Sequence, residues 1–380
     1  LNKGFPVDQV VARLRREVLE PLKGRFVGRD EIIDLIALAV TAGEHLFLHG
    51  PPGTAKSALI RQFALAVRGN FFEYLLTRFS EPNEVFGPID LVRLREGTVA
   101  TVISRMLPEG EFVFLDELFN ANSAILNNLL TVLNERVYRR GAEAHQLPLL
   151  SLFAASNHLP EDDALRALFD RFLLRAHVDN LKRDEMPRLL RVGWDLERSV
   201  PIESSITAND LRLLAREVYR VELTGVLERY AEIVARVRDL GIALSDRRAI
   251  KVLKLIAASA VLCSRRVADI SDFWVLRYVW DREEQIGPLA ALVGGVIEPH
   301  SRAASAHPLA SVVDRVDAEQ IARELDVMND EVRADKPGLA ALARLRERLA
   351  SLSDQTAWLA DEPLRRHLQD RIGDLLGRLR

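Results

Sequence analysis

Gly50-Pro51-Pro52-Gly53-Thr54-Ala55-Lys56-Ser57 is the segment that most narrows what this chain can fold into. It matches G-x-x-x-x-G-K-[S/T] and lies between a short apolar run, Leu46-Phe47-Leu48, and helical periodicity from Lys56 to about Arg68. Glycines let a backbone curl until its N–H groups converge on a phosphate, which then also sits at a helix N-terminus. Lys56 is placed to reach the β- and γ-phosphates of a nucleoside triphosphate such as ATP, and the Ser57 hydroxyl to ligate Mg²⁺. Such a loop needs a strand ahead of it and a helix behind it.

The surrounding pattern meets that demand. Short apolar runs recur at Phe71–Leu76, Phe112–Leu115, Leu149–Ala155 and Phe172–Val178, separated by helical or irregular sequence. Strands that are apolar along their length and alternate with helices predict an α/β core, a buried parallel sheet covered on both faces. Residues 8–23 and Asp30 to Val40 read as helices ahead of it. After about Val200 only helical periodicity remains, with Leu211, Leu214 and Val218 on one helix and Leu227, Tyr230, Ile233 and Val237 on the next. Pro299, Ser301, Ser305 and Pro308 mark a linker, and a helix is expected around Ala318–Val332. Lys336-Pro337-Gly338 makes a turn. Leu342, Leu345, Leu349 and Leu352 then form a heptad seam, followed by Leu364, Leu368, Ile372, Leu375 and Leu379. The expected division is a nucleotide-binding αβα core over 1–200, an all-helical lid over 201–298, and a linker with a helical bundle over 299–380.

Four further places carry chemistry. Phe112-Val113-Phe114-Leu115-Asp116-Glu117 is an apolar strand ending in two acids, the form of a Walker B motif. A carboxylate at a buried strand end is costly without a cation; Mg²⁺ held through Asp116 supplies one, and Glu117 is placed to polarise water. Asn157 ends the Ala154-Ala155-Ser156-Asn157 strand, at the carboxyl edge where such sheets bind ligands, although Asn after a strand is also a common turn residue. Arg171 in Asp170-Arg171-Phe172 offers a fixed guanidinium for charge on a transferring phosphoryl group; Arg166 and Arg175 are nearby alternatives, and Asp170 is a ready ion-pair partner. Finally Leu244-Ser245-Asp246-Arg247-Arg248 opens a helix capped by Ser245 or Asp246, and either arginine can fold back on a nucleotide.

Charge and composition remove other classes. Across 380 residues 52 Lys plus Arg face 55 Asp plus Glu, a net charge of −3, which argues against a dedicated nucleic-acid surface. The single Cys263 permits no intrachain disulfide, suits a reducing compartment, and has the apolar neighbours of a packed thiol. No apolar run approaches the roughly 18–20 residues that cross a bilayer, and residues 1–25 lack a signal peptide's apolar block. A cytoplasmic location without a membrane span is therefore expected.

The ordered set of phosphate loop, Walker B, strand-end Asn, Asp-Arg-Phe and lid arginine resembles an AAA+ ATPase. Phe72-Glu73-Tyr74-Leu75-Leu76-Thr77-Arg78-Phe79-Ser80, Glu84-Val85-Phe86-Gly87-Pro88 and the Asn127–Arg136 segment NNLLTVLNER are similar to the MoxR family, and within it to the RavA (regulatory ATPase variant A) branch. The likeness spans about residues 20–290 and is looser over 308–380. It implies a P-loop NTPase fold of the helix-2-insert clade, with two extra hairpins. Residues 87–108 offer one, with Arg95-Glu96-Gly97-Thr98 between strand-like Ile89–Leu94 and Val99–Ile103; residues 136–150 offer the other, turning at Arg140-Gly141-Ala142. By resemblance Gly50 through Ser57 and Asp116 bind ATP or ADP with Mg²⁺, Glu117 is catalytic, Asn157 is a first sensor, Arg171 a finger acting in trans, and Arg247 a second sensor. Val27-Gly28-Arg29 resembles the adenine-side segment. The RavA tail usually carries an inserted β-rich domain, whereas this chain has only the short Pro337-Gly338 turn there, so contacts made through that insert are not carried over.

MoxR ATPases typically form homo-hexameric rings that remodel protein clients, commonly with a von Willebrand factor A domain partner, and the resemblance extends that expectation to this chain. A nucleic-acid translocase, using Arg93, Arg95, Arg105, Arg139 and Arg140 on the hairpins, and a scaffold gated by nucleotide are the competing classes.

Overall fold

The computed structural model describes residues 6–141, 143–160, 162–181, 183, 185–196, 202–297, 300 and 306–311, together with 322, 325–329, 345–346, 348–349, 352–353, 356 and 362–378. The expected turn at Lys336-Pro337-Gly338, linker residues Pro299, Ser301 and Ser305, and Ala142, Leu342 and Leu379 lie outside the described residues, as does most of the expected helix at Ala318–Val332.

The chain opens with α1 (Pro6–Leu14), continued through a π-helical turn into α2 (Glu20–Arg25), and then α3 (Asp30–Ala42). Next come β1 (Leu46–His49), α4 (Lys56–Ala66), β2 (Phe71–Leu75), α5 (Pro82–Phe86), α6 (Leu91–Arg95), β3 (Phe112–Asp116) and α7 (Ser123–Glu135). The hairpin β4 (Val137–Arg140) and β5 (Glu143–Gln146) precedes β6 (Ser151–Ser156), α8 (Asp163–Phe169), β7 (Leu174–His177) and α9 (Met186–Leu196). Helices follow: α10 (Ala208–Glu217), α11 (Leu227–Asp239), α12 (Asp246–Leu262), α13 (Ile286–Ile297), α14 (Pro308–Ser311) and α15 (Glu362–Arg378). Among the described residues no helix is long and apolar enough to cross a membrane.

Five strands form one sheet in the order β2-β3-β6-β1-β7, and every pairing in it is parallel. All five therefore end at the same edge. The central strands β1 and β6 are buried at every position, which is why they read as continuous apolar runs rather than alternating ones. Edge strand β2 is only partly buried.

Contacts divide the chain into two units, Leu1–Leu223 with Asp246–Ala268, and Thr224–Ser245 with Asp269–Arg380. This differs from a boundary near residue 200, because α10 and α12 pack on α3 of the sheet-containing unit. Val252, Leu255 and Ile256 of α12 are fully buried, and each such side chain contributes about 1.5–3 kcal/mol. Helical periodicity alone cannot say which layer a helix joins. In the second unit a 3₁₀ segment, Ile270–Tyr278, packs on α13, and Trp274 stacks on His307 at 4.5 Å between centroids. Leu345, Leu349 and Leu352 of the expected seam meet Leu368, Ile372 and Leu375 in one cluster with Leu325 and Met328. Cys263 is half-buried rather than enclosed, and Leu227 is exposed although its helix partners Tyr230, Ile233 and Val237 are buried.

The two inserts behave differently. Residues 137–146 form the expected antiparallel hairpin. In the first insert the strand expected over Ile89–Leu94 is instead the short helix α6, and only a bridge between Ile89 and Thr101 remains of the hairpin. The Asp90 carboxylate accepts hydrogen bonds from the Val92 and Arg93 N–H groups at 2.9 and 3.2 Å, so a local cap competes with strand pairing and wins. The two inserts are joined: Phe86 stacks on Tyr138 at 4.9 Å, and Arg140 donates to the Gly87 carbonyl.

Glu44 fixes where α12 lands. It is 3% exposed and pairs with Lys251 and Lys254 at 2.9 and 2.5 Å. Burial pushes its carboxyl up, but the two ammonium groups outweigh this and hold it below its ordinary value. Next to it His45 is enclosed, with Nε2 donating to the Leu133 carbonyl at 3.3 Å and Nδ1 accepting from the Leu152 N–H at 3.1 Å. Burial lowers His45 from 6.5 to about 3, against the pull of Glu44. The unfolded chain thus takes up a proton near pH 6.5 that the folded chain refuses until about pH 3. Stability from this group is complete above pH 6.5 and falls as pH is lowered, by at most about 1.4 kcal/mol per pH unit. Glu44 adds its own loss only once pH drops below the ordinary carboxylate range. Urea unfolding at pH 7.5, 6.5 and 5.5 is expected to show a shallower pH slope for His45→Gln than for the wild type.

Candidate nucleotide-binding site

The loop after β1 is held on both sides before it turns into α4. The Gly50 N–H donates to the Ser156 carbonyl of β6 at 3.1 Å, and the Val178 N–H after β7 donates to the His49 carbonyl at 2.7 Å. Gly50 has φ of 148°, and a Cβ there would lie 2.1 Å from the Val178 carbonyl oxygen, so only glycine passes. Pro52 and Gly53 face solvent, and a Cβ on Gly53 would meet open space. Ala55 takes the left-handed conformation, φ 63°, as the N-cap of α4. Thr54 is buried and its hydroxyl donates to the Pro51 carbonyl at 3.1 Å.

Lys56 is folded into this curl. Its ammonium donates to the Gly50 and Pro51 carbonyls at 2.9 and 2.8 Å and to Thr54 Oγ1 at 3.3 Å. Burial pushes the ammonium below its ordinary value, while Asp116 and Glu117 pull it back up. Those acids end β3, both half-buried. Asp116 Oδ1 accepts from the Glu117 N–H at 3.0 Å, and Glu117 is left-handed with φ 52°, unusual for a non-glycine residue. Ser57 is half-buried on the first turn of α4. Asn157 follows β6 on the same sheet edge, exposed, with Oδ1 2.7 Å from His158 Nδ1.

On the other side of the loop, Val27 is buried and Gly28 packs so tightly that a Cβ would lie 2.4 Å from Leu181 Cδ2. Arg29 ties three segments together: Nε donates to the Thr54 carbonyl at 3.2 Å, Nη1 to Gly28 at 3.1 Å and Nη2 to Asp179 at 2.8 Å. Asp179, Leu181 and Glu185 have no local signature. They lie in irregular sequence after β7, and only the parallel sheet brings them against residue 28.

A second cluster surrounds Asp170. Arg171 Nη1 lies 3.2 Å from Asp170 Oδ2, and Arg248 Nε lies 3.5 Å from Oδ1. Arg175 is 1% exposed, its guanidinium 3.8 Å from the Phe169 ring centroid, so it cannot reach outward; Arg171, with a side chain 24% exposed, can. Arg247, exposed, donates to Asn134 Oδ1 at 3.1 Å near the end of α7. The structure thus brings Lys56, Asp116 and Glu117 together, places Arg171 and Arg248 on Asp170, and sets Arg247 apart on Asn134.

A parallel sheet of this order, with a phosphate loop after β1, paired acids after β3 and a helical part following, defines an AAA+ type P-loop ATPase fold. A crystal structure of an ATPase candidate from Cytophaga hutchinsonii shares the fold, with a TM-score of 0.61 and 19% identity over 72% of this chain and 87% of that one. Residues 12–216 match the MoxR domain described from MoxR-vWA-beta-propeller ternary systems, and residues 225–292 match an AAA lid domain. The chain belongs to the MoxR family of AAA+ ATPases. An uncharacterized protein of Methanocaldococcus jannaschii is 36% identical over 74% of this chain and 73% of its own length, and a second from that organism is 37% identical over 70% and 71%. The chaperone MoxR1 of Mycobacterium tuberculosis is 26% identical over 44% of this chain and 45% of its own length.

Because Arg29 holds the loop carbonyl of Thr54, its loss frees the loop before phosphate can be bound. Arg29→Ala is expected to weaken binding of a fluorescent ATP analogue about 10-fold, the equivalent of one charge-assisted hydrogen bond, without changing the melting temperature by more than about 2 °C.

Proposed function

We propose that this chain is a Mg²⁺-dependent ATP hydrolase that forms six-membered rings and remodels client proteins, together with a partner bearing a von Willebrand factor A domain. The observation that carries it is the convergence of Lys56 with the Asp116–Glu117 pair at one sheet edge. These residues fit a nucleoside triphosphate and its metal. The Lys56 ammonium is held by carbonyl and hydroxyl oxygens of the curled loop rather than by a carboxylate, and Gly53 opens on free space. In this reading Gly50 through Lys56 bind the phosphates, Val27 and Gly28 line the base, and Ser57 and Asp116 hold Mg²⁺. The metal supplies Lewis-acid neutralisation of phosphoryl charge. Glu117 polarises the attacking water and Asn157 orients it.

Arg171 is the outward-facing arginine that addresses a neighbour's nucleotide, while Arg175 braces the turn beneath it. Arg248 shares Asp170 with Arg171, whereas Arg247 is exposed and reaches Asn134, so of the two Arg247 is the one left to serve as the lid sensor. The domain match favours an assembly with vWA and β-propeller components over the RavA-like branch that the motifs resemble. The single half-buried cysteine suits the cytoplasm as its place. A translocase is less favoured because three of its five hairpin arginines are engaged within the protein: Arg140 binds Gly87 and Asn83, Arg139 pairs with Glu135 and Arg93 with Asp90.

Glu117→Gln is expected to bind ATP as the wild type does while kcat falls about 10²- to 10⁴-fold. Turnover at the wild-type rate would remove Glu117 from its role. Sedimentation with and without ATP reads out the ring, and a particle that stays monomeric with ATP refutes that part.

A further inference from the structure

Asp170 has one oxygen for each of two arginines from distant parts of the chain. Oδ2 takes Arg171 at 3.2 Å and Oδ1 takes Arg248 at 3.5 Å. The Arg171 side chain is 24% exposed, whereas that of Arg248 is 3% exposed and comes from the first turn of α12. Beneath them Arg175 donates from Nε to the Phe172 carbonyl and from Nη2 to the Phe169 carbonyl, both at 3.1 Å, which bolts the turn that carries residues 170 and 171 to β7. The turn is further closed by Asp170 N–H to Arg166 carbonyl at 2.9 Å and Arg171 N–H to Leu168 carbonyl at 3.0 Å. The backbone is thus fixed from below. What remains free is the long Arg171 side chain, and the group that sets its direction is the carboxylate beside it.

We propose that Asp170 is the positioning residue of Arg171, and that by sharing its carboxylate with Arg248 it makes the orientation of Arg171 depend on where α12 docks. This rests on the reading of Arg171 as the arginine that acts on a neighbour's nucleotide. A guanidinium held by a carboxylate is fixed in one plane; the Arg171 Nε is buried, so the partly exposed Nη end is what the side chain can present. Arg248, shared on the second oxygen, prevents Asp170 from swinging to take Arg171 with both oxygens, which would turn that fork inward. Movement of α12 would withdraw Arg248, release Asp170 to chelate Arg171, and switch off hydrolysis at the adjacent subunit. Glu44, which anchors the middle of the same helix through Lys251 and Lys254, sets the resting position of this device.

The test separates this proposal from the reading beneath it. In steady-state ATPase assays Asp170→Asn is expected to lower kcat about 10²-fold, the usual cost of an ångström-scale misplacement. KM for ATP should stay within about twofold, because the subunit's own phosphate loop is untouched. Asp170→Glu should recover part of the rate. Mixed with Glu117→Gln subunits, Asp170→Asn should regain activity, since an intact phosphate loop then meets an intact Arg171. Arg171→Ala mixed with Glu117→Gln is the parallel control. If Arg171→Ala alone hydrolyses ATP at the wild-type rate, the reading of Arg171 fails and the Asp170 proposal falls with it. If Arg171→Ala is inactive but Asp170→Asn is within twofold of wild type, only the Asp170 proposal is overturned. It is equally overturned if Asp170→Asn is inactive and fails to complement Glu117→Gln where Arg171→Ala succeeds, because the loss is then structural.

Discussion

At Gly50 the backbone passes a Cβ's breadth from the Val178 carbonyl, and the course of the loop from Gly50 to Lys56 follows from that passage. With the Gly50 N–H on β6 and the Val178 N–H on β1, the chain is stitched between its two neighbours at the point where it leaves the sheet. It then has only the space of five residues to turn into α4, and Lys56 falls inside the curl. A side chain at position 50 would push the loop away from β7, moving Thr54 off Arg29 and Lys56 off the Gly50 and Pro51 carbonyls together.

Two left-handed non-glycine residues sit on that same edge, Ala55 at the start of α4 and Glu117 after β3. Each costs on the order of 1–2 kcal/mol relative to a relaxed backbone. They persist because their neighbours over-determine them. Asp116 accepts the Glu117 N–H, the Glu117 carbonyl accepts from Asn120, and the Ala55 carbonyl accepts the first full helical bond of α4 from Leu59. The left-handed backbone at Glu117 breaks the extended line of β3 just after its last residue.

The parts of this arrangement that follow from neighbouring residues were legible in the sequence. The loop Gly50 to Ser57, the acids at 116 and 117, and the apolar strands depend on spacing within a dozen residues, and the strands came out within a residue or two. The parts that depend on tertiary contact were not. Arg171 and Arg175 differ by four positions and look alike, yet one side chain is 24% exposed and the other residue 1%, because Arg171 lies in the turn before β7 while Arg175 is inside the buried strand, bonded to the Phe169 and Phe172 carbonyls. The side of the molecule on which α12 packs was hidden for the same reason, since a Glu44 with two lysines more than two hundred residues away leaves no local mark. The first insert misled for the opposite reason. Its alternating apolar residues suit a strand, but Asp90 offers the backbone a nearer partner.

Charge is the quantity that connects these observations. A net charge of −3 on 380 residues conceals many cations that already have partners: Lys251 and Lys254 on Glu44, Arg248 and Arg171 on Asp170, Arg212 on Glu111. Each of those carboxylates is matched to one or two basic groups. At Glu44 the acid is the enclosed member, 3% exposed, and its two lysines reach it from partly exposed positions. At Asp170 the acid is the open member, 38% exposed, between a partly exposed Arg171 and a buried Arg248. An ion pair with a solvent-facing member is weak enough to be rearranged by whatever binds beside it, whereas its buried member ties it to α12. That asymmetry distinguishes Asp170 from Glu44: one carboxylate holds a buried guanidinium of α12 and a partly exposed one of its own turn.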